Sequence, residues 1–197
     1  MPNVRQTSAD IDRAIIDVAA GMFARHGYAQ TSLAHVAAEV GYSKAGLIKR
    51  FGNKEGLFSA IVDAGVTIAD AVVAASQEMP EGRERQRLML VLSMEVALDH
   101  VGLMELVLNS FEAGSDLPAI EVFQLQAIRM IGAGGFSVDT PAEAMRTALA
   151  LQMLVNAVRS QSLNAPFDLT MPRNELVAYA VDLALHTLTA PVAPQAL

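Results

Sequence analysis

Apolar side chains recur at intervals of three and four residues along almost the whole chain, and no stretch alternates apolar and polar residues as a strand does. Between Asp10 and His26, for example, Ile11, Ile15 and Val18 fall on one face of a helix. Similar spacing returns in the long segments that follow, up to residue 189. This periodicity predicts an all-α fold of about nine helices.

Capping residues divide the periodic stretches into separate helices. Gly27 and Gly41 follow apolar runs, at positions where a residue with positive φ ends a helix without strain. New helices are expected after side chains that can cap them, namely Thr31 or Ser32, Ser43, Asn53 and Thr140. After four N-terminal helices the pattern predicts helices over about 83–99, 102–112, 117–131, 141–163 and 173–189, with the glycine-rich stretch 132–135 as a break.

Composition excludes several classes of protein. Of the 197 residues, 52% are hydrophobic and 18% are charged, which indicates a folded chain. The chain has no cysteine, so disulfides and cysteine-ligated zinc are excluded. Its four histidines lack metal-ligand spacing, and neither a metal nor a cofactor is expected. The sequence shows no secretory signal and no apolar run of about eighteen residues without charge, so we expect a cytoplasmic protein without membrane contact.

Charge is distributed unevenly along the chain. Residues 1–58 hold seven Lys/Arg and five Asp/Glu, a net charge of +2. Residues 59–197 hold seven Lys/Arg and sixteen Asp/Glu, a net of -9, and the two sum to the overall -7. This asymmetry predicts that only the N-terminal segment meets a polyanion.

The basic N-terminal segment also has the pattern of a helix-turn-helix. Three short helices are predicted there, and Gly41 permits a tight turn between the second and the third. Ala45 and Gly46 leave the start of the third helix bare, so its backbone can approach base edges. Lys44 and Lys49 flank that start. Although a basic cluster alone is more often a solvated face, its coincidence with this pattern predicts DNA binding.

The stretch "AAGMFARHGYAQTSLAHVAAEVGYSKAGLIKRFGNKEGLF" resembles the signature of the TetR (tetracycline-repressor) family of transcriptional regulators. The resemblance covers about residues 10–58; the rest of the chain is similar only in length and helical layout. It implies a homodimer that presents one DNA-reading domain per subunit to each half of a palindromic operator. It also implies a regulator, most often a repressor, that a small apolar or amphipathic effector releases from DNA.

The same resemblance implies which residues meet DNA. Thr31 and Ser32 match phosphate-contacting positions at the start of the second helix, and Lys54 matches a lysine that meets the DNA backbone. Two positions depart from the family pattern, since Ile48 replaces a tyrosine and Arg50 replaces a tyrosine or histidine. Lys49 and Arg50 can replace the lost phosphate contact. The predicted DNA-binding residues are Thr31, Ser32, Ser43, Lys44, Ala45, Gly46, Ile48, Lys49, Arg50 and Lys54.

The remaining chain is predicted to bind the effector and a second subunit. We predict a DNA-binding domain over 1–54, a ligand-binding and dimerisation domain over 55–190, and a flexible tail over 191–197. The candidate pocket residues are Met94, His100, Met104, Leu108, Phe111, Phe123, Gln126, Met130 and Met153. The last two helices are apolar around much of their circumference and must be covered on more than one side, as in a four-helix bundle of two subunits. The predicted interface residues are Leu151, Leu154, Val155, Val158, Val177, Val181 and Leu185.

Three alternatives stay open at this point. Each methionine of the candidate pocket can equally be ordinary core. The chain can be a helical interaction protein whose basic segment binds something other than DNA. An enzyme with a pocket in the C-terminal domain is the third alternative, but the local sequence suggests no Ser/His/Asp grouping, and we expect no enzymatic activity.

Overall fold

The computed structural model describes residues 7–111, 117–161 and 168–189. All regular structure in these ranges is helical, which confirms the all-α prediction. The predicted tail, 191–197, lies outside the described residues. The nine helices of the described ranges are α1 (Ser8–His26), α2 (Leu33–Glu39), α3 (Lys44–Phe51), α4 (Lys54–Gln77), α5 (Arg83–Asp99), α6 (Val101–Asn109), α7 (Ile120–Gly134), α8 (Pro141–Ser160) and α9 (Arg173–Thr189).

Side-chain caps set several helix starts where the sequence predicted them. The Ser32 hydroxyl accepts a hydrogen bond from the backbone N–H of His35, and Ser43 begins α3 in the same way. Thr140 and Glu143 form a reciprocal capping box at the start of α8, which holds the pKa of the Glu143 carboxyl below its usual value. These caps satisfy backbone N–H groups that have no partner within the helix.

The glycine-rich stretch 132–135 differs from the prediction. The break was predicted over all four residues, but α7 continues to Gly134, and Gly135 alone leaves the helical conformation with φ of 72°. Only this last glycine needs the left-handed region, and the preceding residues keep the helical hydrogen-bond pattern. Composition alone does not distinguish a helix that ends in glycines from a loop.

The chain divides into two compact units. The first comprises the described parts of Met1–Ala69 and His100–Ala127, and the second those of Asp70–Asp99 and Ile128–Leu197. Both α4 and α7 therefore contribute residues to both units. The compact units do not follow the sequence boundary at residue 54, because α6 packs with the N-terminal helices. The functional division at residue 54 stays a prediction.

A single apolar core holds the first unit together. The rings of Phe23 and Phe58 are buried in it and meet the partly buried ring of Tyr28, with ring centroids 5.0–5.7 Å apart. Each fully buried large apolar side chain stabilises the fold by about 1.5–3 kcal/mol relative to exposure. The other large members of this core that are fully buried are Ile15, Val36, Leu47, Leu57, Ile61 and Leu106.

The backbones of α1 and α6 touch where the two helices cross. A Cβ atom built on Gly102 would lie 2.0 Å from the carbonyl oxygen of Asp17 and 2.9 Å from the backbone nitrogen of Gly21. A Cβ atom on Gly21 would in turn lie 3.2 Å from the Cα atom of Gly102. Because real Cβ atoms do not approach backbone this closely, the crossing requires glycine at residue 102.

Polar contacts fix the register of the α1–α6 crossing. His100 begins α6 without capping it, and the carboxylate of Asp17 in α1 instead accepts a hydrogen bond from the N–H of Leu103 at 3.0 Å. Nearer the end of α1, the guanidinium of Arg25 donates to the carboxylate of Glu105 at 2.6 Å. The start of α6 is therefore capped by another helix, so α6 is stabilised by its packing on α1.

The second unit is formed around α5, α8 and α9. Leu90 and Met94 of α5 are fully buried, as are Val181 and Leu185 of α9. Arg173, the first residue of α9, donates to Glu95 and Asp99 on α5, and these carboxylates raise its pKa further above the ordinary arginine value. Such exposed ion pairs are screened by solvent and contribute little to stability, so burial of the apolar residues dominates the packing.

Helix α4 has the length and composition of a membrane-spanning helix, with a mean hydropathy of 1.8 over its most apolar window. It is the one helix of the described residues with these properties. In the structure its apolar residues Leu57, Phe58 and Ile61 are buried in the protein core, and Asp63 lies exposed between its ends. Within that most apolar window, 33% is buried inside the protein.

The α1–α6 crossing predicts that Gly102→Ala destabilises the protein by about 1–3 kcal/mol, because the new methyl group must push two backbones apart. The matched control is Gly132→Ala in α7, where a Cβ atom meets nothing within 4 Å. That control is expected to raise stability by up to about 1 kcal/mol through helix propensity. Urea denaturation at one fixed protein concentration measures both changes. Equal stabilities of the two variants would contradict the close crossing.

Candidate nucleic-acid interface

Helices α2 and α3 are packed at a fixed angle by three small or branched side chains. Val36 and Leu47 are fully buried between them, and Ala37 leaves room for the close approach. The turn passes through Gly41 at φ of 68°, and the N–H of Tyr42 donates to the carbonyl of Ala37 at 2.8 Å. This is the helix-turn-helix arrangement that the sequence predicted.

One face of α3 is left open to solvent. Leu47 is the buried residue of this helix, whereas Ser43, Lys44, Ala45, Ile48 and Lys49 are exposed and Gly46 is half-buried. Ile48 is 44% exposed, so the departure from tyrosine at this position places an apolar side chain on the surface. The open face combines two lysines with the small residues Ala45 and Gly46 at the start of the helix, as contact with a DNA groove requires.

Thr31 and Ser32 have different surroundings. Thr31 is only 2% exposed, and its hydroxyl donates to the carbonyl of Gly27 at 2.9 Å. The hydroxyl thus has a partner inside the chain, and its predicted contact with phosphate stays a prediction. Ser32 is exposed and its hydroxyl caps α2, so it is the more accessible of the two predicted phosphate contacts.

Lys54 is held by the loop after α1. Its Nζ atom donates to the carbonyl of Tyr28 at 3.0 Å and lies 4.2 Å from the centroid of the Tyr28 ring. Burial raises the pKa of the Tyr28 hydroxyl, and the nearby Glu55 carboxylate adds to the effect. The aromatic ring and carbonyl fix the lysine at the start of α4, while its ammonium has further N–H groups to donate.

Arg50 is paired within the protein. Its guanidinium contacts the carboxylate of Asp12 and donates to the hydroxyl of Ser8 at 3.3 Å, and it lies 6.0 Å from the ring centroid of Tyr42. Sequence analysis identified Arg50 as a DNA-binding residue but missed Asp12. No local motif indicates this pair, because the two residues are 38 positions apart.

The described cations between residues 7 and 58 therefore fall into two groups. Lys44 and Lys49 make no ion pair or hydrogen bond with other described residues, and both are exposed on α3. The other four each contact a neighbouring group: Arg13, Arg25, Arg50 and Lys54. The uncompensated positive charge of this region is thus concentrated on the open face of α3.

The predicted effector-pocket residues divide between the two compact units. His100, Met104, Leu108, Phe111, Phe123 and Gln126 belong to the first unit, and Met94, Met130 and Met153 to the second. Phe123 and Met94 are buried, whereas Phe111 is 54% exposed and Met153 is also exposed. The side-chain amide of Asn109, the residue that ends α6, donates to the carbonyl of Ala24. The pocket itself stays a prediction.

The predicted dimer residues are buried inside one chain. Leu154, Val155 and Val158 of α8 are covered, as are Val177, Val181 and Leu185 of α9, while Leu151 is half-buried. They pack α8 against α9 and α5 within one chain, and their assignment to a subunit interface stays a prediction. Sequence periodicity could identify the helices as widely apolar but could not say which side the chain itself covers.

A different set of apolar side chains on α8 and α9 is exposed. Met145, Leu149 and Met153 follow one another at four-residue steps along α8, and Leu149 is 50% exposed. Tyr179 and Leu183 have the same spacing on α9. The hydroxyl of Thr187 donates to the sulfur of Met153, so these two helices adjoin at this surface. We call these five exposed residues the α8–α9 apolar surface.

The structure offers no candidate centre for metal chemistry in the part of the chain it describes. No group of three or more His, Asp or Glu side chains there is placed to hold a metal ion. The histidines that the sequence contributes to the first unit, such as His35 and His100, lie on separate helix ends.

Residues 15–61 match the model of a family of bacterial regulatory proteins, the tetR family, over its N-terminal domain. The match includes the later part of α1, the whole of α2 and α3, and the start of α4. It contains every residue of the open α3 face. No curated protein sequence matches the chain significantly.

Several solved structures have a similar fold. AmtR of Mycobacterium smegmatis superposes with a TM-score of 0.62 at 20% identity, over 97% of this chain and 90% of that one. A TetR family transcription regulator from Marinobacter aquaeolei VT8 gives 0.57 at 20% identity, over 91% and 96%. AibR, solved in complex with isovaleryl coenzyme A and operator DNA, gives 0.58 at 19% identity, over 88% and 97%. At identities of 19–20%, this similarity shows a common fold and nothing about binding partners.

Proposed function

Because the chain belongs to the TetR family of bacterial regulatory proteins, we propose that it is a transcriptional repressor that binds a palindromic operator as a homodimer and is released by a small effector. The chain is a DNA-binding transcription regulator and not an enzyme. Its mode of assembly, the direction of its effect and its effector are proposals. A cytoplasmic location is proposed with them, since the protein must reach chromosomal DNA.

The open face of α3 carries the proposed operator contact. Lys44 and Lys49 present the unpaired positive charge, and Ala45 with Gly46 allows the backbone to approach base edges. Ser32 at the start of α2 supports a phosphate contact beside this groove contact. Phosphate contacts of this kind set register and affinity, while the base-facing start of α3 sets sequence preference.

Lys44→Ala is expected to weaken binding to different duplexes by a similar factor and to reduce the log–log salt slope by about 0.9, the value for one phosphate contact. The matched control is Arg83→Ala, which removes an exposed positive charge from α5. Fluorescence anisotropy with DNA from upstream of the encoding gene measures both. Wild-type affinity for the Lys44 variant would show that the operator contact is wrongly placed.

A second copy of the chain is the proposed cover for the α8–α9 apolar surface. Five large apolar side chains on two adjoining helices would remain in water in a single chain. A two-fold axis beside α8 and α9 would place the same surface of both subunits in contact and complete a four-helix bundle. The two DNA-reading domains of such a dimer match the two half-sites of a palindrome.

Leu149→Glu is expected to shift the protein from dimer to monomer, because a charge would enter the apolar subunit interface. Leu125→Glu on α7, outside this surface, is the matched control since Leu125 is also exposed. Sedimentation velocity over a range of protein concentrations measures the change. A dimeric Leu149 variant that is as stable as the control would exclude this interface.

The effector is proposed to act through α4. This helix contributes residues to both compact units, so a ligand that prefers one conformation can change the orientation of the DNA-reading domain. A small change in the separation of two recognition helices lowers affinity for half-sites of fixed spacing. The AibR complex with isovaleryl coenzyme A supports apolar acyl groups and their coenzyme A thioesters as the first class to test.

We expect an effector of this class to release DNA in a gel-shift titration of the preformed complex. Isovaleryl coenzyme A, free coenzyme A and a fatty acid are the compounds to compare, and calorimetry measures whether each binds the protein. A compound that binds the protein and leaves its affinity for DNA unchanged would contradict the inducer mechanism for that class, since a ligand shifts an equilibrium only by its differential affinity.

A further inference from the structure

We propose that the Asp12 carboxylate competes with DNA phosphate for Arg50 and thereby limits the affinity of the protein for DNA. The inference rests on the proposed operator contact through α3. It assigns a role to an α1 residue outside the helix-turn-helix. It also explains why the arginine nearest the open α3 face is not among the unpaired cations.

The position of Arg50 makes it available to either anion. It follows Lys49 directly in the last turn of α3, at the flank between the exposed face and buried Leu47. The side chain of Arg50 is 26% exposed and that of Asp12 is 39% exposed, so solvent and a ligand can reach the pair. A guanidinium on a flexible stem can exchange a carboxylate for a phosphate, because both accept two parallel hydrogen bonds.

Asp12 is the one acidic partner that holds the Arg50 guanidinium against α1 among the described residues. Its other partner on α1 is the hydroxyl of Ser8, the first residue of that helix. The positive end of a helix dipole disfavours a cation, so the amino-terminal turn of α1 does not hold Arg50 by itself. The Asp12 carboxylate supplies the attraction that keeps the guanidinium there. Without it, the charge of Arg50 would be uncompensated and would add to that of Lys44 and Lys49.

If Asp12 competes with phosphate for Arg50 as proposed, removal of the Asp12 charge strengthens DNA binding, whereas a purely positioning role for the pair predicts the opposite outcome. In that case Asp12 would hold α3 in place on α1, and its removal would weaken DNA binding. The burial of Val36 and Leu47 already fixes α3, and an exposed ion pair adds little to such packing. The structure therefore favours competition over positioning.

Asp12→Asn is the decisive variant, since it keeps the shape of the side chain and removes its charge. We expect affinity for DNA to increase about two- to fivefold, the range that corresponds to one exposed ion pair. The log–log salt slope should steepen by about 0.9, the value for one added phosphate contact. Fluorescence anisotropy with a labelled duplex of about 30 base pairs of arbitrary sequence, and with upstream DNA, measures both quantities.

Two further variants test whether Arg50 causes the gain in DNA affinity that is expected for Asp12→Asn. Glu39→Gln removes one exposed negative charge at the end of α2 and leaves the Asp12–Arg50 pair intact, so it should give neither the same gain nor the steeper slope. Arg50→Gln introduced into the Asp12→Asn protein should abolish the gain. A gain that persists without Arg50, an equal gain for Glu39→Gln, or a loss of affinity for Asp12→Asn would overturn the inference. Failure of the wild-type protein to bind either duplex would instead contradict the proposed function.

Discussion

The contact between the backbones of α1 and α6 at Gly21 and Gly102 is the constraint on which the first unit depends. It allows Asp17 to reach the start of α6 and replace the missing cap of that helix. A short helix of nine residues is marginal alone, so this packing determines whether α6 forms at all. The N-terminal helices consequently share one core with a helix that follows them by more than forty residues, and a functional boundary at residue 54 does not coincide with a packing boundary.

In the helix-turn-helix region, some cationic side chains are unpaired and others are bound to neighbouring groups of the protein. Lys44 and Lys49 remain unpaired among the described residues, whereas Arg50 and Lys54 have partners on other segments. A polyanion therefore meets a narrow strip of positive charge on α3 instead of the whole basic region. Since sequence-independent attraction to DNA increases with the number of phosphates neutralised, the internal partners limit it without changing the net charge of the chain.

Much of the fold could be predicted because its signals are local. Three- and four-residue periodicity located the helices, and Ser43, Asn53 and Thr140 marked starts that the structure confirms. The site was less predictable, because the same residue type can be exposed or buried according to distant neighbours. Thr31 resembles a phosphate contact in sequence, yet its hydroxyl is bound to Gly27 in the interior. Likewise, the apolar residues first assigned to the subunit interface are covered by the chain's own helices.

The sequence by itself determined the helix-turn-helix, because Gly41, Ser43, Leu47 and the spacing between them act within a single turn and its two helices. It also determined the concentration of basic residues near the N-terminus and the apolar character of α8 and α9. Only the tertiary structure decided that Asp12 meets Arg50, and that Met145, Leu149 and Tyr179 are the exposed apolar residues of the last two helices. The physical reason is that burial and ion pairing depend on which segments pack together, and local spacing does not specify contacts between residues far apart in the chain.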